Sequence, residues 1–312
     1  MKSINTKEIS IDEIKQIDLF IGSSGYEERS THLASKLVEL TKESIKVTCS
    51  FSSDKTHRQR IENDKIFRKL GFELYEGNGD DDYFMERLLN SLIQKHFLNK
   101  TKITILIDYS SMTRLWYASL LRCLYFHKFP IEIKSVFSYS MAKYQPPSKV
   151  VTHNIHVNPI QGFSEFSIPD KPTALIIGMG YERERAFGLT EYFDAEPFLF
   201  YNDNYIESQF VKDVEELNKD LINAIPPDKI YKYHIKNLEY LENTLYKLCS
   251  SLNTKYRVII APCGPKPFTL VSLLVSLRLN NVDVWRISAG NSRNQIKRIA
   301  NGELIIYDVS IY

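Results

Sequence analysis

Apolar and polar positions alternate in blocks along this chain. Short apolar runs, "IDLFIG" (17–22), "IKVTCSF" (45–51), "FELYE" (72–76), "ITILID" (103–108) and "IEIKSVF" (131–137), are separated by stretches with helical spacing. Strands alternating with helices predict a largely parallel sheet. The second half repeats the series with "ALIIG" (174–178), "EPFLFY" (196–201), "IYKYHI" (230–235), "RVIIA" (257–261) and "VDVWRI" (282–287). An alternating run follows the fifth strand of each half, "KVVTHNIHV" (149–157) and "ELIIYDVSI" (303–311), and suits an added, half-exposed strand. Helices after the first strands are expected to bury Leu33, Leu37 and Leu40 in one half and Phe187, Leu189 and Phe193 in the other. The helices after the fourth strands, "RLWYASLLRCLYF" (114–126) and "PFTLVSLLVSLRL" (267–279), are apolar nearly all round and should be the most buried.

A shared motif joins the two series. "GYEERS" at Gly25–Ser30 and "GYERERA" at Gly180–Ala186 each stand just past the first apolar run of their half. Matching flanks make this an internal duplication. The expectation is an α/β protein of two tandem Rossmann-like units with mainly parallel sheets, arranged about a pseudo-twofold axis. The first unit spans 1–157 and the second 173–312, joined by "NPIQGFSEFSIPDKP" (158–172), whose prolines and glycine suit neither a helix nor a strand.

Totals agree with two cores. The 312 residues suffice for two domains of roughly 150 residues each. A hydrophobic content of 43% with 25% charged residues is that of a globular protein in water. A net charge of +2 does not indicate DNA, RNA or an anionic membrane as a partner, so any anion site must be local, as around Arg183, Arg185, Arg293, Lys297 and Arg298. Cys49, Cys123, Cys249 and Cys263 show no metal-binding spacing, and the start "MKSINTKEIS" has no apolar leader. Both features point to a reducing, cytoplasmic setting.

In an open parallel sheet, ligands bind at the carboxyl ends of the strands, where the strand order switches. The loops expected there are rich in small, hydroxyl and basic residues: "GSSGYEER" (22–29), "DYSSMTR" (108–114), "GMGYERER" (178–185), "PCGPKP" (262–267) and "SAGNSRNQ" (288–295). Small residues let backbone N–H groups approach an anion, a helix N-terminus adds its positive end, and Arg or Lys completes the neutralisation. Phosphate is the guest this chemistry fits. Ser110, Ser111, Thr113 and Arg114 in one half, and Gly264 and Lys266 in the other, are the candidate ligands, with Arg29, Arg185, Asn291 and Arg293 nearby. Neither half has the spacing of a P-loop or of a dinucleotide fingerprint, so no cofactor is indicated.

Glu27 and Glu182 are open to three roles: contact with ribose hydroxyls, general-base catalysis, or ion pairing with Arg29 and Arg185. Tyr26 and Tyr181 suit stacking on a base or half-buried packing. Asp108 is favoured as a cap for the "SSMTR" loop over a catalytic carboxylate, and Cys263 as an inert thiol. His153 and His156, three apart on an expected strand, point to opposite faces and do not suggest a metal site. The acidic "GNGDDDYF" (77–84) reads as a solvated turn and helix start.

The stretches "LIDYSSMTRLWYASLL" and "FIGSSGYEE" resemble the loops of CRISPR-associated Rossmann-fold (CARF) sensor domains. A fused pair of such domains is similar to the SAVED sensors of bacterial anti-phage signalling, which bind cyclic oligonucleotides. The resemblance implies ligand contacts by Ser110, Ser111, Thr113, Arg114, Gly264 and Lys266, and a separate effector protein as partner. The first functional expectation is therefore a nucleotide-binding sensor. The alternatives are a hydrolase or transferase on a nucleotide or sugar phosphate, with Glu27 or Glu182 as base, and a protein-interaction subunit of a defence complex.

Overall fold

The computed structural model describes residues 2–53, 55–147, 156–165, 170–181, 185–203, 208–288 and 298–312. In chain order the first half runs β1 (Ile4–Glu8), β2 (Leu19–Ser24), α1 (His32–Lys36), β3 (Ile45–Phe51), α2 (Arg58–Lys69), β4 (Glu73–Gly77), α3 (Phe84–His96), β5 (Lys102–Asp108), α4 (Arg114–Phe126) and β6 (Glu132–Ala142). The second half runs β7 (His156–Pro159), β8 (Thr173–Gly178), α5 (Arg185–Phe193), β9 (Ala195–Asn202), α6 (Ser208–Leu217), α7 (Lys219–Ala224), β10 (Ile230–Tyr233), α8 (Leu238–Leu252), β11 (Arg257–Pro262), α9 (Lys266–Arg278) and β12 (Val282–Ser288). The last strand is β13 (Ala300–Ile311).

Two sheets result, in the order β1-β13-β6-β5-β2-β3-β4 and β10-β9-β8-β11-β12-β7. In each, the five strands of the βα series are parallel, and the chain moves outward from its first strand before crossing back to that strand's other side. The order therefore switches between β2 and β5 in one sheet and between β8 and β11 in the other. These are two Rossmann-like units of the same winding, as the duplicated pattern predicts.

The added strands depart from expectation. β13 pairs antiparallel with β6 and β1 in the first sheet, whereas His156–Pro159, at the end of the earlier alternating run, pairs antiparallel with β12 in the second. The compact units are consequently Met1–Lys143 with Asn294–Tyr312, and Tyr144–Arg293, in place of the consecutive halves expected. The reason is physical: alternation marks a strand with one covered face, but it carries no information about which vacant edge the strand will join. The eleven-residue β6 and the twelve-residue β13 match in length, while the short β7 covers only part of the seven-residue β12.

The expected linker also proves partly integral. Ile160 N–H donates to Val284 C=O and Val284 N–H to Phe163 C=O, both at 2.8 Å, and the Ile160 and Phe163 side chains are buried. One face of the first sheet is covered by α1 and α2 through Phe20, Leu33, Leu37, Phe67 and Phe72, and the other carries α3 and α4, with the Cys49 and Met85 sulfurs 3.4 Å apart. In the second unit Leu175, Ile177, Leu189, Leu199, Leu221 and Ile259 form one core layer. Helix α5 turns Leu189 and Phe193 toward the core as expected, with Ala186 beside them, but leaves Phe187 exposed. Helices α4 and α9 are buried on all sides, as their composition predicts.

Candidate functional site

The carboxyl end of β5 sets the first switch point. Asp108 accepts at Oδ1 from the backbone N–H of Ser110 (3.0 Å) and from its hydroxyl, an Asx-type closure that turns the chain away from the strand. The same Ser110 hydroxyl accepts from Ser140 N–H at 2.7 Å, joining this loop to β6. Asp108 is thus a cap for the "SSMTR" loop, and Ser110 is fully buried within the framework.

Thr113 ends the loop as the N-cap of α4. Its Oγ1 accepts from Trp116 N–H (3.3 Å) and donates to Gly79 C=O (2.9 Å), while Trp116 Nε1–H donates to Asn78 C=O (3.0 Å). The turn before α3 therefore docks against the start of α4, and the Trp116 ring stacks on Phe51 at 4.4 Å. Arg114, the first residue of α4, is half-buried beside this cap.

Arg29 occupies the centre of the first site and is almost wholly buried. Its Nε–H donates to Glu27 Oε2 (2.9 Å), Nη1 to Tyr139 Oη (2.8 Å) and Ser140 C=O (3.0 Å), and Nη2 to Ser110 C=O (3.1 Å). The guanidinium thereby ties the loops after β2 and β5 to the end of strand β6. Burial works against its charge, but the Glu27 carboxylate and the Tyr139 hydroxyl hold it firmly protonated. Glu27 Oε2 also accepts from Ser111 Oγ at 3.3 Å, and Oε1 pairs with Arg298 Nε at 3.3 Å. Of the roles open to Glu27, the geometry displays ion pairing.

A second polar layer secures the loop after β2. Asn63 of α2, with no exposed surface, donates through Nδ2 to Gly25 C=O (2.8 Å) and Glu27 C=O (2.9 Å). Ser24 Oγ donates to Asp64 Oδ1 (2.6 Å), which also accepts from Arg60 Nε (2.8 Å). Tyr26, between the two carbonyls held by Asn63, is half-buried with its ring edge-on to His57.

The second switch point lies between Gly178–Gly180 and Cys263–Lys266. A Cβ on Gly264 would run into the carbonyl oxygen of Met179, and one on Gly178 into the Phe268 ring, so glycine is what lets these backbones approach. Pro265 precedes α9, and Lys266 is its half-buried first residue, the same station as Arg114 in α4. Asn218, between α6 and α7, donates through Nδ2 to Gly180 C=O at 3.1 Å. The Tyr181 ring stacks on Phe210 at 5.7 Å, a packing contact. Glu182, Asn291 and Arg293 lie outside the described residues, as do His153 and the side chain of Arg185.

Sequence reasoning missed Asn63, Asn218 and Tyr139. A signal for the first two existed, since each asparagine follows the glycine it holds by 38 residues. Among the described residues no cluster of His, Cys, Asp or Glu could hold a metal ion, and no helix is long and apolar enough to cross a membrane.

No family model matches the chain, and no curated protein matches it. Among solved structures, the cytoplasmic domain of a prokaryotic cation chloride cotransporter is similar at 7% identity over 89% of this chain and 97% of its own, with a TM-score of 0.27. The S. aureus MnaA–UDP co-structure aligns at 12% identity over 79% and 74%, TM-score 0.25. A universal stress protein from Archaeoglobus fulgidus DSM 4304 aligns at 10% identity over 92% and 98%, TM-score 0.22. The functional reading accordingly rests on the residues of this chain.

Proposed function

We propose that the protein binds a phosphate-bearing small molecule of the nucleotide class at the switch points of its sheets. One observation carries the reading: in each unit, the helix that begins at the switch point has a half-buried cation as its first residue, Arg114 in α4 and Lys266 in α9. A helix N-terminus with a cation beside it favours an anion, and the position is where open α/β sheets hold their ligands. Ser111, Thr113 and the Gly264 backbone lie in the same loops. Arg29, Glu27 and Ser110 support the site by fixing its loops.

The resemblance to cyclic oligonucleotide sensors makes those ligands the first to test, with a separate effector as the partner that binding would address. Titration calorimetry with cyclic di-AMP, cyclic oligoadenylates, ATP and AMP is the measurement. Binding of at least one is expected, weakened about tenfold or more by Arg114→Ala or Lys266→Ala, the loss of one charge-assisted contact. If no nucleotide binds, or both variants bind as the parent does, the reading fails.

A further inference from the structure

The two asparagines stand out because their surroundings do not call for them. Asparagine is a poor helix former, and a buried amide is costly unless its donors and acceptor are used. Yet Asn63 sits inside α2 with no exposed surface, and Asn218 sits between α6 and α7 at 5% exposure. Each spends its amide on the same target: the carbonyl of the glycine that opens a Gly-Tyr-Glu motif, Gly25 or Gly180.

The local settings otherwise differ. Asn63 lies within a continuous helix, accepts from Gln59 Nε2 at 3.1 Å, and uses Nδ2 a second time on Glu27 C=O. Asn218 lies where the helix is interrupted, and its Nδ2 donates also to Val214 C=O at 2.8 Å. One hydrogen bond is thus common to both units, while the helix carrying it differs. In the first unit the two held carbonyls bracket Tyr26, so the asparagine sets where that side chain and the following carboxylate leave the loop.

We propose that Asn63 and Asn218 are positioning residues that fix the backbone at the ligand-binding switch points, at Gly25 in one unit and at Gly180 in the other. The role rests on the nucleotide-binding reading above. The same amide-to-glycine hydrogen bond performs it in both units.

Hydrogen exchange on the full chain tests the clamp without any ligand. Asn63→Ala should speed exchange of amides 26–31 by about tenfold or more, the loss of a buried donor, while β5 amides keep their protection. Asn218→Ala should do the same for the amide of Tyr181, with β11 unaffected. Should an alanine variant not fold, Asn→Ser, whose hydroxyl is too short to span the gap, takes its place with the same expectation. Unchanged loop exchange in either unit overturns the inference.

Calorimetry on the folded variants then tests recognition, using the tightest binder among cyclic di-AMP, cyclic oligoadenylates, ATP and AMP. An affinity lowered about tenfold supports the positioning role. Faster loop exchange with parental affinity assigns the asparagines to structure alone and overturns it. A parent protein that binds none of these probes defeats the nucleotide reading together with the recognition role, and that failure is distinct from a variant that binds normally.

Discussion

Arg29 shows how burial changes the meaning of a residue. In the sequence it is a cation beside a carboxylate in a loop suited to phosphate. In the fold its side chain is 1% exposed and joins two loops to strand β6 through Glu27, Ser110, Tyr139 and Ser140. A planar fork with several fixed acceptors cannot be replaced by a point charge. Arg29→Met should therefore lower stability by about 3–5 kcal/mol, because it strands two carbonyls and removes one of the cations that pair Glu27. Arg29→Lys should recover only part of that loss. Urea denaturation measures both, and a change below about 1 kcal/mol in Arg29→Met would refute the keystone role. Asp108 is the contrasting case, since an aspartate two residues before a serine in a turn is readable as a cap without any fold. Nothing local announced Tyr139, because its hydroxyl meets Arg29 across 110 positions of chain.

At the level of elements, the amino edge of the first sheet is stitched as firmly as its carboxyl edge. Asp18, just before β2, accepts from Thr104 N–H at 2.8 Å, from Gln16 Nε2 at 3.1 Å and from Lys100 Nζ, while its own backbone bonds to Thr104 and Ile45. Burial alone would raise its pKa, but the Lys100 and Thr104 hydrogen bonds outweigh it and hold the carboxyl below the ordinary aspartate range. The unfolded chain therefore binds the proton more readily, and the staple's contribution is complete above about pH 4 and lost as pH falls through the depressed native value. Asp18→Asn should cost about 1–2 kcal/mol at pH 7, discounted because Lys100 is nearly half exposed. The gap between parent and variant in chemical denaturation should close below about pH 4. A gap that is constant with pH would exclude this staple. The ten parallel strands were readable from short apolar runs, to within two residues at most ends. Strand β1 was not, because "INTKE" is too polar and too short to stand apart from a loop.

For the whole molecule, the C-terminal strand belongs to the sheet that begins the chain. Tyr307 and Val309 of β13 are fully buried in the first unit, and Ser135 Oγ donates to Val309 C=O at 2.5 Å. A chain ending at residue 299 would leave β6 with an open edge and β1 with no partner strand. Its first-sheet amides should lose protection in hydrogen exchange while those of β8 and β11 remain protected. Retained protection in β5 and β6 would show that β13 is dispensable.

What the amino-acid order determined by itself was local and periodic: the βα series, its duplication, the all-round apolar helices α4 and α9, the Asp108 cap and the hydroxyl-rich loops. Each follows from spacing over a few residues, where side-chain direction is set by the backbone repeat. Tertiary structure alone decided which sheet edge β13 and β7 would complete, that Arg29 would be a buried tie, and that Asn63 and Asn218 would meet their glycines. Those outcomes depend on which edges and acceptors are left vacant once distant segments have packed, and no local repeat encodes that.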